Sequence, residues 1–156
     1  MKTVTIRQPA FRLKNVGKRD VRTQFCALPY RIKGGKVQVL IITSRGTGRW
    51  ILPKGWPMHQ STPAEAAATE AFEEAGAKGR AVDHVLGFYT YIKNHDGNRY
   101  PVVAAVFPVK VNKLVPNWPE KGQRKRKWVS QKKAAKLLSD RELRQIVKQF
   151  DPHKLP

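Results

Sequence analysis

The chain has 156 residues, with 31 Lys and Arg against 11 Asp and Glu, four His and a single Cys. That length suits one domain with a real core, and 40% apolar residues with four Trp exclude a wholly disordered chain. No run approaches the ~18 apolar residues of a membrane span, and the lone Cys26 excludes an internal disulfide or a CxxC zinc module.

The start, MKTVTIRQPAFRLKNVGKRD, has no apolar secretion signal, so the expected place is the cytoplasm. A net charge of +20 attracts polyanions: nucleic acid, acidic membrane or phosphate-dense small molecules. The basic residues are clustered. Lys2, Arg7, Arg12, Lys14, Lys18, Arg19 and Arg22 crowd the start, and Lys121, Arg124, Lys125, Arg126 and Lys127 lie near the end. The acids cluster too, with Glu65, Glu70, Glu73 and Glu74 inside ten residues. A basic chain that gathers its few carboxylates is expected to hold a cation there.

In chain order, residues 1–20 read as a loosely held basic arm and residues 21–156 as one domain. Gln24–Tyr30 reads as a strand, Arg31–Lys36 as a hairpin turn around Gly34-Gly35, and Val37–Thr43 as a buried strand. Ser44–Arg49 is a loop, Trp50–Leu52 a short strand stopped by Pro53, and 54–61 a turn-rich loop. Thr62, Pro63 and Glu65 form a capping box that opens an Ala-rich helix, which Gly76 ends. Val82–Ile92 and Tyr100–Val111 read as strands joined through Asn94-His-Asp-Gly97, and Val115–Pro119 as a loop. A short strand at Lys127–Val129 precedes helices from Ser130 to Leu138 and from Asp140 to Phe150. Mixed strands with few helices predict an α/β (α+β) sandwich.

The first helix carries the chemistry. At about 100° per residue, Glu70, Glu73 and Glu74 share a sector of roughly 100°. Ala68, Ala71, Phe72 and Ala75 fall opposite and are expected to pack inward. No Lys or Arg occurs between Lys54 and Lys78. Like charges one turn apart cost roughly 0.2–0.5 kcal/mol per pair, and the helix dipole disfavours anions in the C-terminal half. A hard divalent ion removes that cost, and carboxylates with retained waters suit Mg²⁺.

Gly55-x5-Ser61-x7-Thr69-Glu70-Ala-Phe-Glu73-Glu74-Ala-Gly76-Ala has the spacing of the Nudix box, G-x5-E-x7-R-E-U-x-E-E-x-G-U. The chain therefore resembles the Nudix hydrolases, with Ser61 standing where the pattern has Glu and Thr69 where it has Arg. The segments Thr43–Gly55 and Gln123–Val129 look like the diphosphoinositol polyphosphate phosphohydrolase branch. The resemblance implies an α/β/α sandwich with a mixed sheet and a catalytic loop-helix-loop. It also implies hydrolysis of a diphosphate linkage by water attack on phosphorus, with Mg²⁺ or Mn²⁺.

Carried onto matching positions, Glu70, Glu74 and the Gly55 carbonyl would hold the metal, and Glu73 would take the proton from water. The family's box arginine helps orient a helix carboxylate, a task Thr69 can meet only by a weaker hydrogen bond. Asp96 and Glu120 stand as candidates for a further, distal acidic ligand. Arg22, Ser44, Arg45, Arg124 and Arg126 are expected to hold the substrate, since an arginine fork pairs bidentately with phosphate. His59 is placed to reach a phosphate and Trp56 to line the pocket, while Trp50 and Trp128 read as core.

The leading expectation is a hydrolase of a small polyphosphate, either a diphosphoinositol polyphosphate or a dinucleoside polyphosphate. A second is removal of pyrophosphate from an RNA 5′ end. A third is a non-catalytic, polyanion-binding module of the same fold. Single-strand binding usually uses exposed stacking aromatics, and the basic clusters lack them.

Overall fold

Near-continuous apolar runs such as Cys26–Tyr30, Val39–Ile42 and Ala104–Val109 must be covered on both faces of one sheet, and that requirement organises the chain. The computed structural model describes residues 21–95 and 97–156. The expected basic arm over 1–20 and the candidate ligand Asp96 lie outside them. Strands β1 (Arg22–Lys33), β2 (Lys36–Thr43), β3 (Trp50–Ile51), β4 (Lys54–Gly55), β5 (Ala77–Ala81), β6 (Gly87–His95), β7 (Asn98–Leu114) and β8 (Arg126–Ser130) form one mixed sheet. The helices are α1 (Pro63–Ala75), α2 (Gln131–Leu137) and α3 (Arg141–Gln149). A short 3₁₀ turn follows at Pro152–Lys154.

The parallel pairing of β1 with β7 is the axis of the sheet, running from Arg22 opposite Val102 to Tyr30 opposite Lys110. β5 and β6 pair with successive stretches of β7. β1 pairs with β2 at its C-terminal end and with β4 nearer its start. The β1–β2 turn is Gly34-Gly35, whose φ values of 59° and 75° suit a two-residue hairpin of primed type.

Burial follows the period-2 pattern. Cys26, Leu28, Tyr30, Val39, Ile41, Ala104 and Val106 pack with Ala134, Leu138, Leu143 and Val147 of the α2–α3 layer. Their neighbours Ala27, Leu40, Ile42, Ala105 and Phe107 pack with Ala64, Ala67, Ala71 and Ala75 of α1. These are the three layers of the expected α/β/α sandwich. Alanine on both sides of the second interface lets α1 lie close to the sheet.

Several local expectations are corrected. Val82–Leu86 is not strand: Val82 and Leu86 bond to Pro108 and Val106 as a connection, and β6 starts at Gly87. β5 has no signature in the sequence, because AKGRA has no apolar alternation. The expected loop at 54–61 begins as β4, with Gly55 opposite Phe25 and Lys54 opposite Cys26. On α1, Ala68 and Phe72 are only half-buried, whereas Glu74 is 7% exposed. Trp50 and Trp128 are half-buried at the margins of the two clusters rather than central.

Candidate metal and phosphate site

Two elements distant in sequence meet at Gly55. The chain entering β4 is bonded into the sheet, with the Ala27 N–H donating to the Pro53 carbonyl at 2.8 Å. Helix α1 starts from the Thr62 cap, whose hydroxyl accepts from the Glu65 N–H at 3.1 Å, and its acidic half passes beneath that segment. A Cβ at position 55 would fall 2.1 Å from Glu70 Oε1. Only glycine lets this carboxylate lie against the loop backbone. The next residue back, Lys54, donates its N–H to Glu74 Oε2 at 3.3 Å.

Glu70 and Glu74 are therefore drawn out of water beside each other. Burial, then the neighbouring charges of Glu74, Glu73 and Glu120, push the Glu70 carboxyl up to about 7. Burial likewise raises Glu74 to about 7, opposed by the charges of Arg124 and Lys54. Glu73 is half-buried on the same sector. Among the described residues, no three Asp, Glu, His or Cys side chains converge as a complete cation cage. Mg²⁺ needs only one or two carboxylates with waters and backbone oxygen. Two desolvated carboxylates against a side-chain-free turn fit such an ion.

The last turn of α1 has no basic residue of its own. Its free carbonyls are met instead by the segment leading from β7 to β8. Glu120 N–H bonds to Glu73 O, Trp118 Nε1 to Glu74 O, Arg126 Nη1 to Ala75 O and Val115 N–H to Gly76 O, at 3.1, 3.2, 2.9 and 2.9 Å. Arg126 also stacks on Trp118, 3.9 Å from the ring centroid. The same segment brings Glu120 to the carboxylates through Arg124, whose Nη2 lies 3.2 Å from Glu120 and 3.4 Å from Glu74.

Of the other expected substrate residues, Ser44 and Arg45 share one loop, and Arg22 stands at the start of β1. Arg45 has a side chain 61% exposed, 3.4 Å from Glu120 and bonded to Gln123 at 3.1 Å. Ser44 shapes its own loop, accepting from the Arg49 N–H at 2.9 Å and meeting the Thr47 hydroxyl. Arg22 is exposed at the start of β1, with its guanidinium 5.6 Å from the Tyr100 ring. His59 is exposed, as is Trp56, over whose ring Lys93 Nζ sits at 5.1 Å.

Lys54 also lines a cleft of about 360 Å³, together with Arg49, Ile51, Thr90, Tyr91, Ile92 and Asp140. Lys54 joins the two regions, since its backbone holds Glu74 while its side chain lines the cleft. Burial, then the charge of Lys54, lowers the Lys93 ammonium against the opposing charge of Glu74.

The NUDIX domain family model matches residues 21–150. The chain belongs to the Nudix family. It is 35% identical over 133 residues to Nudix hydrolase 21, chloroplastic, of Arabidopsis thaliana, covering 79% of this chain and 63% of that protein. It is 32% identical over 102 residues to mouse diphosphoinositol polyphosphate phosphohydrolase 3-alpha, covering 64% of this chain and 58% of that one. The chain thus spans somewhat under two thirds of these relatives. The fold matches a C. elegans Ap4A hydrolase with TM-score 0.59 at 20% identity, over 83% of this chain and 96% of that structure.

Within the Nudix box, the structure corrects one expectation. Thr69 does not turn its hydroxyl to a carboxylate; Oγ1 donates to the Glu65 carbonyl of its own helix at 3.0 Å. Arg49 and Lys54 fall inside the Thr43–Gly55 segment but were not singled out as site residues, and Lys93 lies in no motif. Their common feature is a place beside the Gly55 strand, visible only once β4 is paired with β1.

Proposed function

We propose that this Nudix domain is a divalent-metal-dependent hydrolase that splits a diphosphate linkage in a small, phosphate-rich substrate. The observation that carries the reading is the Glu70–Glu74 pair, set against the side-chain-free Gly55 and the Lys54 backbone, with both carboxyls raised to about 7 by burial first. Glu70, Glu74 and the Gly55 carbonyl would hold Mg²⁺ or Mn²⁺. Bound there, the ion supplies charge neutralisation on the phosphates and a more acidic attacking water.

The chain's own groups do the rest. Glu73 accepts the proton of the attacking water. Arg45, whose fork is exposed, takes substrate phosphates with Ser44 shaping its loop, and Arg22 extends the positive surface. Lys54, Lys93 and Arg49 draw polyanion toward the cleft. Arg126, read from the sequence as a phosphate ligand, acts in this reading by closing the helix end. The mouse relative is named for diphosphoinositol polyphosphate and the nematode structure for Ap4A. Both support a phosphate-dense small molecule as substrate over RNA.

No helix among the described residues is long and apolar enough to cross a membrane. Burial pushes the Cys26 thiol up to about 12, which leaves it unreactive. An intracellular site of action, the cytoplasm in our reading, is supported by this single unpaired cysteine, although the plant relatives are named chloroplastic or mitochondrial.

The test is product release with Mg²⁺ from a diphosphoinositol polyphosphate, a diadenosine polyphosphate, a 5′-triphosphate RNA and a nucleotide sugar, with Glu74→Gln as control. Turnover by the wild type alone on one of the first two is the expected result. A Glu74→Gln protein of wild-type rate would remove the metal assignment. Salt-sensitive binding without turnover on any compound would favour a polyanion-binding module.

A further inference from the structure

Helix α1 places carboxylates at 70, 73 and 74 without a cation of its own, and Thr69 spends its hydroxyl on the Glu65 carbonyl. The charge that answers Glu74 comes from fifty residues downstream. Arg124 has a side chain only 6% exposed, and three elements fix its fork. Nη1 donates to the Thr43 carbonyl at the end of β2 at 3.1 Å. Nε and Nη2 meet Glu120 Oε1 at 3.3 and 3.2 Å, and Nη2 faces Glu74 Oε1 at 3.4 Å. With Lys54 N–H on its other oxygen, the Glu74 carboxylate is held from both sides.

We propose that Arg124 is a positioning residue for the Glu74 carboxylate, supplying from the β7–β8 connection the orienting cation that Thr69 does not supply from the helix. The inference rests on the reading that Glu74 ligates the metal. It assigns Arg124 a task different from gripping phosphate. Its guanidinium is buried and already bonded to Thr43, Glu120 and Glu74. Arg45 shares Glu120 with it but stands exposed, so the two arginines divide the work: Arg124 fixes the ligand and Arg45 meets the incoming phosphates. A bridge Glu74–Arg124–Glu120 also gives Glu120 a purpose other than direct ligation.

The experiment compares Arg124→Gln, Arg124→Lys and Arg45→Gln in the full chain. Mn²⁺ binding without substrate is followed by calorimetry, kcat and KM are measured at saturating Mn²⁺, and Tm is recorded. Disturbing a group that orients a metal ligand typically costs about 10–100-fold in affinity or activity. Arg124→Gln is therefore expected to weaken Mn²⁺ binding and lower kcat by about that factor, with KM changed less than about twofold. Arg124→Lys should recover part of both losses, and should carry the comparison if the Gln variant does not fold. Arg45→Gln should raise KM and leave Mn²⁺ binding unchanged.

Unchanged or tighter Mn²⁺ binding in both Arg124 variants, with a raised KM, would overturn the proposal and make Arg124 a phosphate contact. Unchanged Mn²⁺ binding and kcat with a lowered Tm would overturn it in favour of a purely structural ion pair. A wild type that binds no Mn²⁺, or a Glu74→Gln protein that binds it like the wild type, would instead overturn the metal reading beneath it.

Discussion

Gly55 and Glu70 illustrate how one missing side chain can shape a site. A Cβ at 55 would overlap Glu70 Oε1 at 2.1 Å, so the carboxylate would have to move. Gly55→Ala should cut metal-dependent turnover at least about tenfold, the scale set by disturbing a ligand's support, while the protein still unfolds cooperatively. Wild-type turnover in that variant would mean that Glu70 need not lie against the loop. The carboxyls also set a pH dependence. Both rise from 4.5 to about 7 in the folded, metal-free protein. Between those values the unfolded chain has released protons that the folded one retains. Stability therefore falls as pH rises from about 4.5 to 7, and levels off above. Metal-free Tm should decline across that window, and Mg²⁺ should raise Tm more at pH 8 than at pH 5. A flat metal-free profile, or a Mg²⁺ effect independent of pH, would contradict the pairing.

At the scale of elements, α1 is held in place by its two ends and its alanine face. The Thr62–Pro63–Glu65 start is closed locally, whereas the C-terminal carbonyls depend on Val115, Trp118, Glu120 and Arg126. Gly76 serves that end twice: its φ is 64°, and a Cβ there would fall 2.7 Å from Arg126 Nη1 and 2.8 Å from Trp118 Cδ2. Gly76→Ala should lose about 1–3 kcal/mol in denaturant unfolding, the range for a strained left-handed residue, and should lower kcat as the capping segment shifts. Ala67→Leu should cost a similar amount by overpacking against the sheet. Unfolding midpoints within error of wild type for both would show that α1 sits less tightly than its contacts indicate. The α1 start and stop were legible in the sequence because both are local chemistry. β5 and the 82–86 connection were not, since an unpatterned pentapeptide becomes strand only when β7 offers an edge.

For the whole molecule, a charge of +20 set against a small acidic centre means attraction at a distance and discrimination nearby. KM for a polyphosphate substrate should climb steeply between about 0.05 and 0.5 M salt, where screening shortens to a few ångströms, while kcat stays nearly constant. Arg45→Glu should raise KM further and change KM more than it changes Tm. A salt-independent KM would separate the net charge from substrate capture.

The sandwich class, the hairpin at Gly34-Gly35, the capped acidic helix and the Nudix spacing from Gly55 to Gly76 are all readable from the residues alone. All of these are written in periodicity or in residues within a few turns of each other. The tertiary structure alone decided that Glu74 faces inward, and that Thr69 bonds its own helix. It also decided that Arg124, Glu120 and Lys54 surround the carboxylates. Arg124 and Glu74 stand fifty residues apart, and their meeting depends on the path of the 115–123 segment across the helix end. No local pattern encodes that path. Parallel pairing of β1 with β7 and the hydrogen bonds of the capping segment fix it together.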